Sequence, residues 1–217
     1  DIPESRVIGP TLHLSHGPRA LAGAMATALP DALRPGSRTI LTAMRAAYAA
    51  HAAFVADLRA VGRDILGALA PDEPLWVVSG RPYNLHDERL SLGLGRLAAR
   101  LGVKALPLDF LDLSATPLTR FPRMYWGLGS RILRAAADTA AAPNRFGVHL
   151  GNFSCGPDSF LEHFYGHTMG DKPYLLLELD EHSAAAGMIT RMEAFDNVVR
   201  ENMRTCAQAA RLRQVAP

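Results

Sequence analysis

The chain lacks the features that disulfide-rich, nucleic-acid-binding and membrane proteins require. Its 217 residues include only two cysteines, too few for a disulfide framework or a self-contained zinc or iron–sulfur site. The 23 basic and 21 acidic side chains leave a net charge of +2, which argues against nucleic-acid binding by bulk charge. No apolar run approaches the ~20 residues of a membrane span. We therefore expect a cytoplasmic protein that binds neither nucleic acid nor membrane.

Several nucleotide and hydrolase motifs are also missing from the sequence. It has no Gly-x-x-x-x-Gly-Lys-Ser/Thr phosphate loop, so we do not expect this chain to hydrolyse ATP itself. It has no Gly-x-Ser-x-Gly elbow, which disfavours a serine hydrolase. Because the first residue is Asp1 rather than Met, we expect the chain to be a fragment of a longer polypeptide.

The first 70 residues differ in pattern from the rest. Five prolines interrupt residues 1–37, leaving room for only a short strand at 7–14 and a short helix at 20–29. Apolar residues then recur at three- and four-residue intervals from Thr39 to Leu69, which predicts one long helix. We therefore divide the chain into an irregular and helical segment, residues 1–70, and a second domain, residues 71–217.

The second domain alternates strands and helices four times. Short apolar strands are predicted at 75–78, 103–108, 146–150 and 174–179. Helices are predicted at 88–101, 123–141, 157–169 and 184–213. This alternation predicts an α/β fold with a four-stranded, mainly parallel sheet, flavodoxin-like or Rossmann-like in three layers, preceded by the helical N-terminal segment.

Polar residues follow three of the predicted strands. In parallel sheets, ligands bind at the carboxyl ends of the strands, so these residues are the candidates for a site. Arg81, Tyr83 and Asn84 follow the first strand, Asn152, Cys155 and Asp158 follow the third, and Asp180 and His182 follow the fourth.

Cys155 stands out among these candidates. Pro157 suits the first turn of a helix, so the thiol would lie beside a helix N-terminus, where the dipole favours a thiolate. Such a group ligates metal, attacks as a nucleophile or senses redox state, and the alternative is an inert thiol. Cys206 has no motif around it, and we interpret it as structural.

The other candidates also have a structural interpretation. Asp180 and His182 could form an acid–base pair, or they could simply cap the end of a strand and the start of a helix. Arg81 and Asn84 could hold an anionic or carbonyl ligand, or Arg81 could belong to a tight turn and an ion pair.

Four motifs together resemble a known family. They are Gly80-Arg81-Pro82-Tyr83-Asn84, Met124-Tyr125-Trp126-Gly127 leading to Arg131-Ile132-Leu133-Arg134-Ala135-Ala136, residues 152–160 (Asn-Phe-Ser-Cys-Gly-Pro-Asp-Ser-Phe), and residues 178–187 (Glu-Leu-Asp-Glu-His-Ser-Ala-Ala-Ala-Gly) running to 190–195. The chain resembles, from about residue 40 to 200, the dehydratase-like portion of the CoA-substrate-specific enzyme activase proteins. Those proteins are relatives of the 2-hydroxyacyl-CoA dehydratase and benzoyl-CoA reductase systems.

The resemblance implies a redox or lyase system in which an ATP-binding activase domain drives a low-potential electron into an iron–sulfur cluster. The cluster then reduces a CoA thioester to a ketyl radical. By this resemblance Cys155 would be a cluster ligand, Asn152, Asp158 and His182 would line the site, and Arg81 and Tyr83 would face the same cleft. The implied partners are the activase domain and other dehydratase-like domains, in cis or in trans, and an acyl-CoA or another small molecule.

A [4Fe–4S] cluster takes three or four protein ligands, whereas only Cys155 is well placed here. We therefore expect the cluster only in the full-length protein and none in the isolated chain, which would be inactive alone. Two alternatives remain at this point: a non-catalytic scaffold or ligand-binding α/β module, and a cysteine- or histidine-dependent hydrolase.

Overall fold

The computed structural model describes residues 7–215, and of residues 210 and 213–215 it describes only the backbone. The strands are β1 (Leu75–Gly80), β2 (Lys104–Pro107), β3 (Arg145–Asn152) and β4 (Tyr174–Leu179). The helices are α1 (Gly17–Ala28), α2 (Ser37–Gly67), α3 (Pro82–His86), α4 (Leu94–Arg100), α5 (Gly127–Ala141), α6 (Gly156–Met169) and α7 (Ala185–Val215). None of the helices in this described part is long and apolar enough to cross a membrane.

The chain divides into two compact units, Asp1–Leu58 and Arg59–Pro217, with the boundary inside α2. In the first unit, α1 buries Leu21 and Ala22, and the Tyr48 hydroxyl donates a hydrogen bond to the Leu14 carbonyl. The strand predicted at residues 7–14 is wrong, since residues 7–13 form no regular element and Leu14 begins a short 3-10 turn. Pro10 lacks the N–H that a strand would offer to a neighbour.

The second unit contains one sheet in which all four strands are parallel, in the order β2-β1-β3-β4. The predicted α/β fold with a parallel sheet and N-terminal helices is therefore confirmed. All six residues of β1 are buried, because β1 lies inside the sheet and helices cover both of its faces. This explains why its sequence is a continuous apolar run rather than an alternating one.

Alternate residues of the strands enter two separate cores. On one face, Trp76 and Val78 of β1 pack with α4 and α7. On the other face, Leu75 and Val77 pack with α5 and α6. These two cores form the three layers, helix, sheet and helix, that the alternation of elements predicts.

The helix predicted at residues 88–101 is wrong in its first half. Residues 88–93 form turns, and α4 begins only at Leu94. The Asp87 carboxylate accepts the backbone N–H groups of Arg89 and Leu90, which favours a turn. Leu92 and Gly93 then adopt positive φ angles of 49° and 70°, which a right-handed helix does not contain.

Candidate functional site

The candidate site lies where the strand order reverses. The strand that follows β1 in sequence, β2, pairs with one edge of β1, whereas the next strand, β3, pairs with the opposite edge of β1. In open parallel sheets this reversal opens a crevice at the carboxyl ends of the two central strands, and ligands bind there. The segments that follow β1 and β3 carry Arg81 and Cys155 into this crevice.

Arg81 connects the two segments. Its Nε lies 3.1 Å from Oδ1 and 3.3 Å from Oδ2 of Asp158, and its Nη2 donates to the Cys155 Sγ at 3.2 Å. Asp158 is almost completely buried and also accepts the backbone N–H of Asn152 at 3.0 Å. Burial opposes the charge on Arg81, but Asp158 and Cys155 outweigh it and raise the pKa of the guanidinium.

The backbone around Cys155 explains its position. Cys155 is the N-cap residue of α6, and Pro157 occupies the first turn of that helix. The preceding residue, Ser154, adopts a φ of 59°, an uncommon conformation for a residue with a side chain. The Cys155 N–H closes the turn onto the Asn152 carbonyl at 3.0 Å, so the thiol is held directly beyond the end of β3.

A second group of hydrogen bonds joins the same two segments. The Asn84 amide donates to Oδ1 of Asn152 at 3.1 Å, and the Asn152 amide donates to the Tyr83 hydroxyl at 3.0 Å. Asn84 is buried, whereas Tyr83 is 48% exposed, so the group runs from the interior to the surface. The structure thus brings together six of the predicted site residues: Arg81, Tyr83, Asn84, Asn152, Cys155 and Asp158.

Asp180 and His182 do not join this group. The Asp180 carboxylate accepts hydrogen bonds from the Ser183 hydroxyl at 2.7 Å and from the His182 N–H at 3.0 Å. The Ser183 hydroxyl holds down the pKa of Asp180. Asp180, Glu181 and His182 bring three atoms that could ligate a metal within 4.8 Å of one another, but the His182 side chain is 82% exposed.

A buried polar group beneath α6 was not predicted from the sequence. The Ser79 hydroxyl lies 3.0 Å from Nδ1 of His149, and both residues are at most 1% exposed. The His149 ring stacks on Tyr165 with centroids 5.1 Å apart. Gly147 leaves room for Tyr165, because a Cβ at this position would lie 2.3 Å from the Tyr165 hydroxyl oxygen.

The buried position determines the charge of His149. Burial lowers its pKa to about 4, and the nearby Asp158 carboxylate only partly opposes this. Nε2 of His149 has no hydrogen-bond partner among residues 7–215. The signal that could have identified this group is the pattern Gly147-x-His149-x-Gly151, in which two glycines flank a histidine on one face of a strand.

A further ion-pair group follows β2. The Asp109 carboxylate contacts His86 at 2.9 Å and also accepts a hydrogen bond from Arg131. Partial burial would raise its pKa, but His86 and Arg131 outweigh that effect and lower it. This group connects the segments after β1 and β2 with α5, and it supports the crevice from one side.

An open groove of about 710 Å³ lies next to Cys155. The groove is lined mainly by apolar and aromatic side chains and includes Gly156 and Pro157 at the start of α6. The Arg81 guanidinium lies over the Trp126 ring of this groove, and its central carbon is 5.4 Å from the ring centroid. Arg81 therefore contacts both Cys155 and the Trp126 ring at the side of the groove.

Comparison with known proteins finds one family. Residues 2–111 match the family described as the CoA enzyme activase uncharacterised domain. No curated protein and no solved structure matches the chain. The matched segment includes the Gly80–Asn84 motif, whereas Cys155 and Asp180 lie beyond its end.

Proposed function

The chain belongs to the family of the CoA enzyme activase uncharacterised domain, and from this premise we propose that it forms one half of a redox site. In this proposal it is the dehydratase-like domain that supplies one cysteine ligand and part of an acyl-CoA site for ATP-coupled electron transfer. The observation that best supports it is the contact of Arg81 with both Asp158 and Cys155 at the point where the strand order reverses.

The donor set of this chain fits one ligand of an iron–sulfur cluster and not a complete cluster site. Cys155 follows the carboxyl end of β3, whereas Cys206 lines a groove with Pro74 and Pro143, which precede β1 and β3. The two thiols therefore lie at opposite ends of the sheet. The eight residues of β3, at about 3.3 Å each, separate these ends. The remaining thiolates must then come from other dehydratase-like domains, in cis or in trans.

The residues of this chain have definable tasks in such a site. A [4Fe–4S] cluster, when bound, supplies one-electron chemistry at low potential. Asp158 positions the Arg81 guanidinium, and the guanidinium donates to the Cys155 sulfur and brings a positive charge to an anionic, thiolate-ligated group. Tyr83, Asn84 and Asn152 fix the two strand ends relative to each other.

The arrangement does not favour a hydrolase. Cys155 contacts an arginine rather than the histidine that would activate it as a nucleophile. Ser79 does contact His149, but the two residues are 0% and 1% exposed, so a substrate carbonyl could not reach the hydroxyl. The second candidate is a ligand-binding α/β module, which the groove beside Cys155 favours.

Iron and sulfide analysis under anaerobic conditions tests the proposal. The chain is purified alone, and then together with the ATP-binding activase domain and cysteine-bearing dehydratase-like domains. We expect background iron for the chain alone and about four irons per assembly for the combined domains. A combined sample without iron contradicts the redox proposal and favours the ligand-binding module, and about four irons on the chain alone contradicts the half-site.

A further inference from the structure

The groove beside Cys155 has the size and lining of a small-molecule site. Its volume of about 710 Å³ lies within the range of roughly 300 to 1,000 Å³ typical of ligand pockets. Aromatic and other apolar side chains form most of its lining, including Phe121, Met124, Tyr125, Trp126, Phe160 and Phe164. Such a lining favours an apolar ligand body.

Two aromatic side chains of this groove are largely exposed. Tyr125 is 98% exposed and Phe160 is 55% exposed, although the burial of large apolar side chains is favourable. The two rings come from separate segments, the loop before α5 and helix α6 itself. A ligand inserted between these segments would cover both rings.

The charges in the lining are all positive. Arg120 and Arg123 are the charged members of the lining, and both are exposed. Within the described part of the chain neither of them forms an ion pair. No carboxylate belongs to the lining, so the charge complement of this groove is an anion carried on an apolar body.

We propose that this groove binds a small amphipathic carboxylate, with its apolar body among the aromatic rings and its carboxylate at Arg120 and Arg123. The charge complementarity and the aromatic lining together select this class over apolar cations and neutral alcohols of the same size. The inference goes beyond the proposed function, because the groove binds such a ligand whether or not a cluster forms at Cys155.

Isothermal titration of the chain with hexanoate, octanoate and decanoate tests this assignment. Because each buried methylene contributes about 0.8 kcal/mol, affinity should rise roughly fifteenfold with every two carbons. Octylammonium, which has the same body and the opposite charge, should bind far more weakly than octanoate. Affinity that is independent of chain length, or equal for the two charges, overturns the proposal.

Variants locate the binding to this groove. The double substitution Arg120→Gln with Arg123→Gln should weaken octanoate roughly threefold to tenfold and leave 1-octanol unchanged. The matched control, Arg89→Gln with Arg100→Gln, removes two exposed arginines outside the groove and should change neither. Equal loss of octanoate affinity in the control pair overturns the assignment.

A third variant places a side chain in the groove. A Cβ on Gly156, which lines the groove, would meet no heavy atom within 4 Å, so this position accepts a side chain, and Gly156→Leu should weaken octanoate and 1-octanol alike. Unchanged binding in Gly156→Leu overturns the proposal. Sedimentation of the wild-type chain provides a further check, since a dimer that Gly156→Leu dissociates would assign the groove to a second copy and overturn it as well.

Discussion

The Arg81 guanidinium is held between a buried carboxylate and a thiol. Its Nε lies 3.1 Å from Asp158, whose side chain is 2% exposed, while the Arg81 side chain is 18% exposed. Its Nη2 lies 3.2 Å from the Cys155 sulfur. The ion pair therefore determines which group faces Cys155, and it links the segment after β1 to the segment after β3.

Asp158→Asn should reduce the free energy of unfolding by about 2 kcal/mol, because it leaves the Arg81 guanidinium partly buried without its counter-charge. The loss stays below that of a fully buried pair because water still reaches the guanidinium. Urea denaturation measures it. In Glu201→Gln, the control, the lost partner is an exposed arginine, Arg204, and we expect no measurable change. Equal losses in the two variants would contradict the structural role of Asp158.

The stability of the chain should depend on pH through His149. Its pKa is about 4 in the folded protein and about 6.5 in an unfolded chain, so the unfolded state takes up a proton first as the pH falls. The free energy of unfolding should therefore fall by about 3 kcal/mol as the pH drops from 6.5 to 4. Above pH 6.5, His149 is neutral in both states and the full stability is present.

The variant His149→Gln removes this titration and can still hydrogen-bond Ser79. Its free energy of unfolding should fall less steeply than that of the wild type between pH 6.5 and pH 4. His182→Gln is the matched control, because the His182 side chain is 82% exposed, and its pH dependence should follow the wild type. Parallel curves for the wild type and His149→Gln would refute the assignment.

Gly147 and Tyr165 should be energetically coupled. Gly147→Ala places a Cβ 2.3 Å from the Tyr165 hydroxyl oxygen, an overpacking that costs roughly 1 to 3 kcal/mol. Tyr165→Phe removes that oxygen, so the double variant should be more stable than the sum of the single changes predicts. The cycle is measured by urea denaturation, and strict additivity would show that the two groups do not collide.

Gly95→Ala serves as the control for a glycine without such a neighbour. It lies inside α4, where a Cβ would meet nothing within 4 Å. Replacing a helical glycine by alanine at a compatible position stabilises a protein by roughly 0.4 to 1 kcal/mol. A stabilised Gly95→Ala beside a destabilised Gly147→Ala would separate steric overlap from a general effect of the alanine side chain.

The strands of the sheet, and the edge of the sheet at which the site lies, can be predicted from the sequence. The four strands are short apolar runs, and parallel pairing places the segments that follow them at one edge. The sequence therefore indicates that Arg81 and Cys155 lie at the same edge of the sheet. Their direct contact, and the ion pair of Arg81 with Asp158, could not be predicted, because the strand order that makes β1 and β3 neighbours depends on tertiary packing.

Other features fall outside what local patterns show. Asp180 and His182 follow β4, which is an edge strand next to β3, so they lie one strand away from the reversal point. Ser79 and His149 sit within apolar strands and look like ordinary strand residues until α6 covers them. The groove depends on an irregular loop, residues 120–126, whose course no periodicity predicts.

The iron content of cysteine variants tests the central claim most directly. In the assembly with the activase and dehydratase-like domains, Cys155→Ser should lose the bound iron and sulfide, since it removes one thiolate ligand. Cys206→Ser, which changes an exposed thiol at the opposite end of the sheet, should retain them. Full iron content in Cys155→Ser, or equal loss in both variants, would contradict the role of Cys155 as a cluster ligand.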